Sequence, residues 1–341
     1  METLLLSADA RSIARAAELI KDGQLVGFPT ETVYGLGADA LNPRAVLDIF
    51  AAKGRPADNP LIVHITRWEE MLPLCWVNEK ARKLAEAFWP GPLTMILPKR
   101  EIVPGAVTAG LDSVAIRMPS HPVARALIAT SGCPIAAPSG NRSGRPSPTM
   151  AAHMMEDMAG RIPLILDGGP CEVGVESTVV ALTGDVATVL RPGGVTPEMI
   201  AAVLGESQVA DSVMRPLKEG EAAPSPGMKH KHYAPKARMT LYAGDAGAVA
   251  ARISAEYDTL QDGEKGLILA AQEHLPLYGS RRAADLGRDE WAAAHNIFAL
   301  LRQADADGVT RVFSESWPES GVGLAVMNRM ARAAGFDIVS V

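Results

Sequence analysis

Apolar positions along the N-terminal two thirds of the chain switch repeatedly between helical and strand spacing. A short apolar run at the N-terminus reads as a strand. Ile13, Ala16, Ala17 and Ile20 then share one face and predict a helix over residues 9–22, closed by Gly23. Buried strands are expected at 24–29, 61–65, 93–97 and 134–137, and a strand of period-two alternation at 113–118. Helices are expected from Asn42, with Pro43 in the favoured first turn, and at 79–88, 122–130 and 197–204. Strands at 162–166 and 177–182 follow, and 186–190 pairs with the latter across Thr183-Gly184-Asp185 as a hairpin. At least one antiparallel pair therefore sits among the helices, which predicts an α/β domain with a mixed sheet.

Periodicity lapses over residues 205–226, where Glu206, Asp211, Glu219, Glu221 and three prolines read as a linker. The pattern restarts at Met239. Strands at 239–244, at 266–271 and within 309–316 alternate with helices at 246–257, 289–304 and 323–334. That order predicts a small, parallel, three-layer second domain.

Composition narrows the class. The chain has 341 residues, which favours about two domains. Its 48% hydrophobic and 21% charged content describes a globular protein with a sizeable core. A net charge of −6 supplies no global field for nonspecific nucleic-acid binding, so any anion site is local. Cys75, Cys133 and Cys171 are odd in number and widely spaced, which argues against a disulfide framework or a cysteine zinc site. No apolar run reaches the ~18 residues of a membrane span, and the N-terminal run is too short for a secretory signal. These features predict a cytoplasmic protein that does not engage a membrane.

Neither common glycine-rich nucleotide fingerprint is present. Candidate chemistry is dispersed instead. Lys53-Gly54-Arg55, followed by Pro56 and Asn59-Pro60, reads as a rigid phosphate-binding loop or as a solvated basic turn. Residues 138–144 (PSGNRSG), extended by Arg145 and Ser147, form either an anion nest or an ordinary turn. His64 lies among Leu61, Ile62, Val63 and Ile65, as a core histidine or a ligand contact. Arg117 shares a strand face with Ser113 and Ala115, where a charge requires an ion pair or a ligand. Glu176-Ser177-Thr178 and Arg191 stand at strand ends, as ligand contacts or as turns. A basic cluster over residues 225–238 holds Lys229, Lys231, Lys236 and Arg238 with His230 and His232, and no acid. His230-x-His232 lacks a third ligand at matching spacing, which argues against zinc.

Taken together, PTETVYGLG, KGRP-x-x-NPL-x-x-H, WPGPLT, VAIR-x-P, APSGN-x-SG-x-PSPT, ESTVV, LRPG, SPGM-x-x-x-HYAP and the closing NRMARAAG resemble threonylcarbamoyl-AMP synthase in its two-domain form. The resemblance covers nearly the whole chain, with the motifs in the family's order. It implies a YrdC-like twisted mixed sheet with helices over residues 1–205, a linker or lid over 206–238, and a small Rossmann-like accessory domain over 239–341. It implies a nucleotidyltransferase that condenses L-threonine, bicarbonate and ATP into threonylcarbamoyl-AMP and pyrophosphate. Other proteins, the tRNA threonylcarbamoyl transferase machinery, would then modify adenosine in tRNA.

By this resemblance Thr32, His64, Arg117, the backbone at Ala137, and Ser177 would hold threonine. Arg55, Asn59, Ser113, Ser139, Ser147, Arg191 and Tyr233 would hold ATP, with Asn141 and Lys53 in the same pocket. Lys53 and Arg55 would stabilise charge on the phosphates as catalytic groups, with Mg2+ bridging those phosphates and no tightly bound organic cofactor. Ser225 to Pro235 would fold over the pocket. The expected protein is a monomer, with direct contact to tRNA left open. The rival readings are an RNA-binding module without catalysis and an enzyme that uses carbamoyl phosphate.

Overall fold

Local signals set the elements that carry the site. A computed structural model describes residues 1–215 and 233–341. The expected lid and the His230/His232 pair therefore lie wholly or mostly outside the described residues. Asn42 caps the helix Pro43–Lys53 by accepting from the amides of Arg44 and Ala45. Gly54 ends it in the left-handed region at φ 62°, which places Lys53 on the last, buried turn and Arg55 just past it.

The first domain is built on a sheet of eleven strands among the described residues. In chain order they are β1 (Leu4–Ser7), β2 (Val26–Phe28), β3 (Gly35–Asp39), β4 (Ile62–His64), β5 (Leu93–Pro98), β6 (Ser113–Arg117), β7 (Ile135–Ala136), β8 (Leu164–Asp167), β9 (Thr178–Ala181), β10 (Thr188–Arg191) and β11 (Gln208–Val209). Their spatial order is β1-β8-β2-β3-β7-β4-β6-β5-β9-β10-β11. Parallel pairs such as β4/β6 and β5/β9 mix with antiparallel ones such as β5/β6 and β3/β7. The expected hairpin forms, with Ala181 opposite Thr188. Strand β3 lies where no strand was expected. β11 pairs with β10 inside the stretch expected as linker.

The second domain has a parallel sheet of β12 (Arg238–Ala243), β13 (Gly266–Ala271), β14 (Ala283–Gly287), β15 (Arg311–Glu315) and β16 (Ile338–Ser340), in the order β14-β13-β15-β12-β16. Helices Glu290–Ala306 and Gly323–Ala333 cover it. Every residue of the latter helix is buried, because it lies between its own sheet and the first domain. Val33, Val175 and Tyr233 join the hydrophobic cluster formed by Phe298, Met330 and their neighbours, so the two domains share one packed seam.

Candidate active site

Sheet register brings the dispersed motifs into line. His64 on β4 is the Cα partner of Arg117 on β6, and Arg117 is the partner of Thr94 on β5. Thr94 pairs with Val179 on β9, and Val179 with Arg191 on β10. One row across five strands thus carries His64, Arg117, Thr94 and Arg191. The loops after β2, β7 and the helix Pro43–Lys53 close over that row and form a pocket.

One end of the pocket is built around Arg117, 4% exposed. Its Nη2 makes a 2.7 Å ion pair with Glu31, equally buried, and its Nη1 donates to Thr32 Oγ1 at 3.0 Å. Burial alone would push the Glu31 carboxyl up, but the adjacent Arg117 charge holds it below its ordinary value. Arg117 Nε has no hydrogen-bond acceptor among the described residues. Buried donors of that kind are rare unless something else satisfies them. His64 Nδ1 donates to Ile62 O at 3.1 Å, which leaves Nε2 as the ring's acceptor. Burial, and then the Arg117 charge, push the His64 ring down to about 3, so it is neutral at physiological pH.

The other end is cationic. Lys53 Nζ donates to the carbonyls of Ser139 and Asn141 and ties the 138–144 loop to the helix end. An ammonium has three donors, so one remains for a ligand. Burial, followed by the nearby Arg55 charge, lowers the Lys53 pKa well below its ordinary value. Arg55 Nη2 donates to Asn59 O at 3.1 Å, and burial pushes its guanidinium down to about 10. The Ser139 hydroxyl donates to Asn141 Oδ1 at 2.6 Å. Arg191 donates through Nε to Ser177 O at 3.0 Å and through Nη2 to Ser177 Oγ at 3.2 Å. Ser177 Oγ also lies 2.8 Å from Thr94 Oγ1, so this serine joins the two ends.

Of the residues expected at the site, Thr32, Lys53, Arg55, His64, Arg117, Ala137, Ser139, Asn141, Ser177, Arg191 and Tyr233 line this one pocket. Asn59, Ser113 and Ser147 do not. Asn59 is buried behind Arg55, whose guanidinium its carbonyl accepts. Ser147 is buried with its hydroxyl on Glu176 Oε1. Ser113 begins β6, four residues and thus roughly 13 Å along the strand from Arg117. Sequence reasoning left Glu31, Thr94 and Arg329 without a role. Glu31 was visible inside PTETVYGLG and Arg329 inside NRMARAAG, but neither motif reveals which cation or carboxylate it meets.

No group of three or more His, Cys, Asp or Glu side chains capable of holding a metal occurs among the described residues, and no described helix is long and apolar enough to cross a membrane.

A family profile described as "Telomere recombination" matches residues 18–193, and one described as "Threonylcarbamoyl-AMP synthase, C-terminal domain" matches residues 195–335. A threonylcarbamoyl-AMP synthase of Pyrococcus abyssi is 46% identical over 330 residues, spanning 96% of this chain and 95% of its own length. One of Bacillus subtilis is 46% identical over 338 residues, spanning 98% and 96%. The crystal structure of P. abyssi Sua5 complexed with L-threonine matches with a TM-score of 0.91 at 44% identity, covering 100% of this chain and 99% of that one.

Proposed function

This chain belongs to the threonylcarbamoyl-AMP synthase family in its two-domain form, and from that premise we propose that it makes L-threonylcarbamoyl-AMP from L-threonine, bicarbonate and ATP, releasing pyrophosphate. The product is the activated donor for threonylcarbamoyladenosine in tRNA. The observation that carries this reading is Arg117, whose buried Nε lacks a hydrogen-bond acceptor beside a neutral histidine, at one end of a pocket whose other end is cationic.

An amino-acid carboxylate suits the Arg117 fork. His64 Nε2 and the Thr32 hydroxyl suit the threonine side-chain hydroxyl. Lys53, Arg55 and Arg191 suit a triphosphate. Both carboxylates beside the pocket are already paired, Glu31 with Arg117 and Glu176 with Arg329. The donor set therefore fits Mg2+ carried in on the triphosphate and hydrated rather than caged by protein. When bound, Mg2+ would neutralise phosphate charge.

In the proposed sequence the threonine amine, deprotonated, captures CO2 with loss of a proton, or bicarbonate with loss of water, to give N-carboxy-threonine. A carbamate oxygen then attacks the α-phosphorus in line, and the bond to pyrophosphate breaks. The chain's own groups position the two substrates and stabilise charge on the phosphates. Many of the side chains that line the pocket are buried, and a dry site would protect the carbamate and the mixed anhydride from hydrolysis.

The test is pyrophosphate release from ATP with threonine or bicarbonate omitted in turn. Release that needs both supports the assignment. Release that needs neither, or that proceeds when carbamoyl phosphate replaces bicarbonate, contradicts it.

A further inference from the structure

Two arginines of the second domain reach across the seam to the walls of the pocket. Arg329, on the helix Gly323–Ala333, is fully buried. Its Nε donates to Glu176 Oε2 at 3.0 Å, its Nη2 to Glu176 O at 3.1 Å and its Nη1 to Pro192 O. Its guanidinium also lies 6.0 Å from the centre of the Tyr233 ring. The other carboxylate oxygen of Glu176 accepts the Ser147 hydroxyl. One side chain of the second domain therefore touches the Glu176 backbone, the Glu176 carboxylate, the residue after Arg191, and Tyr233.

Arg302, on the helix Glu290–Ala306, holds the neighbouring stretch. It donates through Nη2 to Pro146 O and to Asp157 Oδ2, both at 2.6 Å. Ser147 thus hangs between two arginines of the other domain, one acting on its preceding carbonyl and one through Glu176.

The Arg117 end has different supports. Arg117 is held by Glu31 and Thr32, and His64 by Ile62, all within the first domain. Ser177, where the two ends meet, is held by Thr94 on β5 and by Arg191 on β10, both of the first domain. None of these contacts involves Arg329.

We propose that Arg329 is a positioning residue through which the second domain sets the nucleotide end of the pocket, fixing Glu176 and bracing Arg191 and Tyr233, all three of which line it, while leaving the threonine end to the first domain. This rests on the functional reading above. It makes ATP binding, and not threonine binding, depend on a residue that touches neither substrate.

Separate calorimetric titrations of ATP and of threonine in bicarbonate-free buffer test it, alongside thermal unfolding. Arg329→Gln leaves the Glu176 carboxylate buried without its cation. The expected result is ATP binding weakened about tenfold or more with threonine affinity within about twofold of wild type. Arg329→Gln combined with Glu176→Gln leaves two neutral amides and keeps an acceptor for Ser147. It should return ATP affinity to within about threefold of wild type. A merely structural arginine would lower the unfolding temperature and shift both affinities together or neither. Either pattern overturns the proposal, as does a double variant no better than the single one.

Should Arg329→Gln fail to fold, Arg329→Lys keeps the charge and loses the fork. ATP weakened about threefold or more at unchanged threonine affinity then supports the proposal, and any other pattern overturns it. A wild-type protein that binds neither ligand overturns the functional reading and this proposal together. Wild-type binding with the wrong variant pattern overturns this proposal alone.

Discussion

His64 and Arg117 are Cα partners on adjacent parallel strands, and the ring is held uncharged by burial and by the guanidinium next to it. A neutral imidazole can accept a hydrogen bond through Nε2 at any physiological pH, which a threonine hydroxyl requires.

That neutrality has a cost in acid. The His64 pKa falls from 6.5 to about 3 on folding, so between those values the unfolded chain binds more protons. Its contribution to stability is complete above about pH 6.5 and is lost as pH falls towards 3. His153, lowered to about 4 chiefly by burial, acts in the same direction. The Tm of the wild-type protein should decline from pH 7 to 4.5, and His64→Gln should flatten part of that decline. Parallel Tm curves for the two proteins would show that His64 is not the titrating group.

Arg117→Ala removes the carboxylate fork and strands Glu31. Threonine affinity should drop about a hundredfold, with ATP affinity within about threefold of wild type. Stability should fall by about 3–5 kcal/mol from the unpaired buried carboxylate. Adding Glu31→Gln should restore most of the stability and none of the threonine binding. Calorimetry and urea unfolding read the two effects separately.

Lys53→Met removes both bonds that tie the 138–144 loop to the helix end. Each charged hydrogen bond is worth about 1.5–3 kcal/mol, so kcat/KM for ATP should drop about a hundredfold or more. Threonine affinity should stay within about threefold. Steady-state pyrophosphate release at varied ATP, with a separate threonine titration, checks this.

Gly174 marks the seam between the domains. It has φ +83°, and an added Cβ would lie 2.5 Å from the His295 backbone. Gly174→Ala should destabilise the protein by about 2–3 kcal/mol by forcing the contact apart. Gly54 also has a positive φ, but a Cβ there meets nothing within 4 Å. Gly54→Ala should cost about 1 kcal/mol, from backbone strain alone. Equal losses in urea unfolding would place the Gly174 effect in its dihedral rather than in the seam.

Much of this fold was legible because its signals are local. Asn42-Pro43 announced a helix start, Gly23 the close of the first helix, and Thr183-Gly184-Asp185 a hairpin. β3 was not legible, since Gly35-Leu36-Gly37 lacks strand-forming side chains. Those glycines serve close packing, and a Cβ on Gly37 would lie 2.7 Å from the Phe28 ring. β11 has only two residues and exists by pairing with β10. The site's residue types were legible from motifs, and their convergence follows from register across five strands. The Glu31–Arg117 and Glu176–Arg329 pairs were not legible. Partner choice between residues so far apart in the chain is decided by tertiary packing, and no spacing rule encodes it.

The most direct measurement is mass spectrometry of the product formed from ATP, L-threonine and 13C-labelled bicarbonate. One pocket that holds an amino acid beside a triphosphate should yield threonylcarbamoyl-AMP carrying a single heavy carbon, with an equal amount of pyrophosphate. AMP without the labelled adduct, or pyrophosphate released at the same rate without threonine, would contradict it.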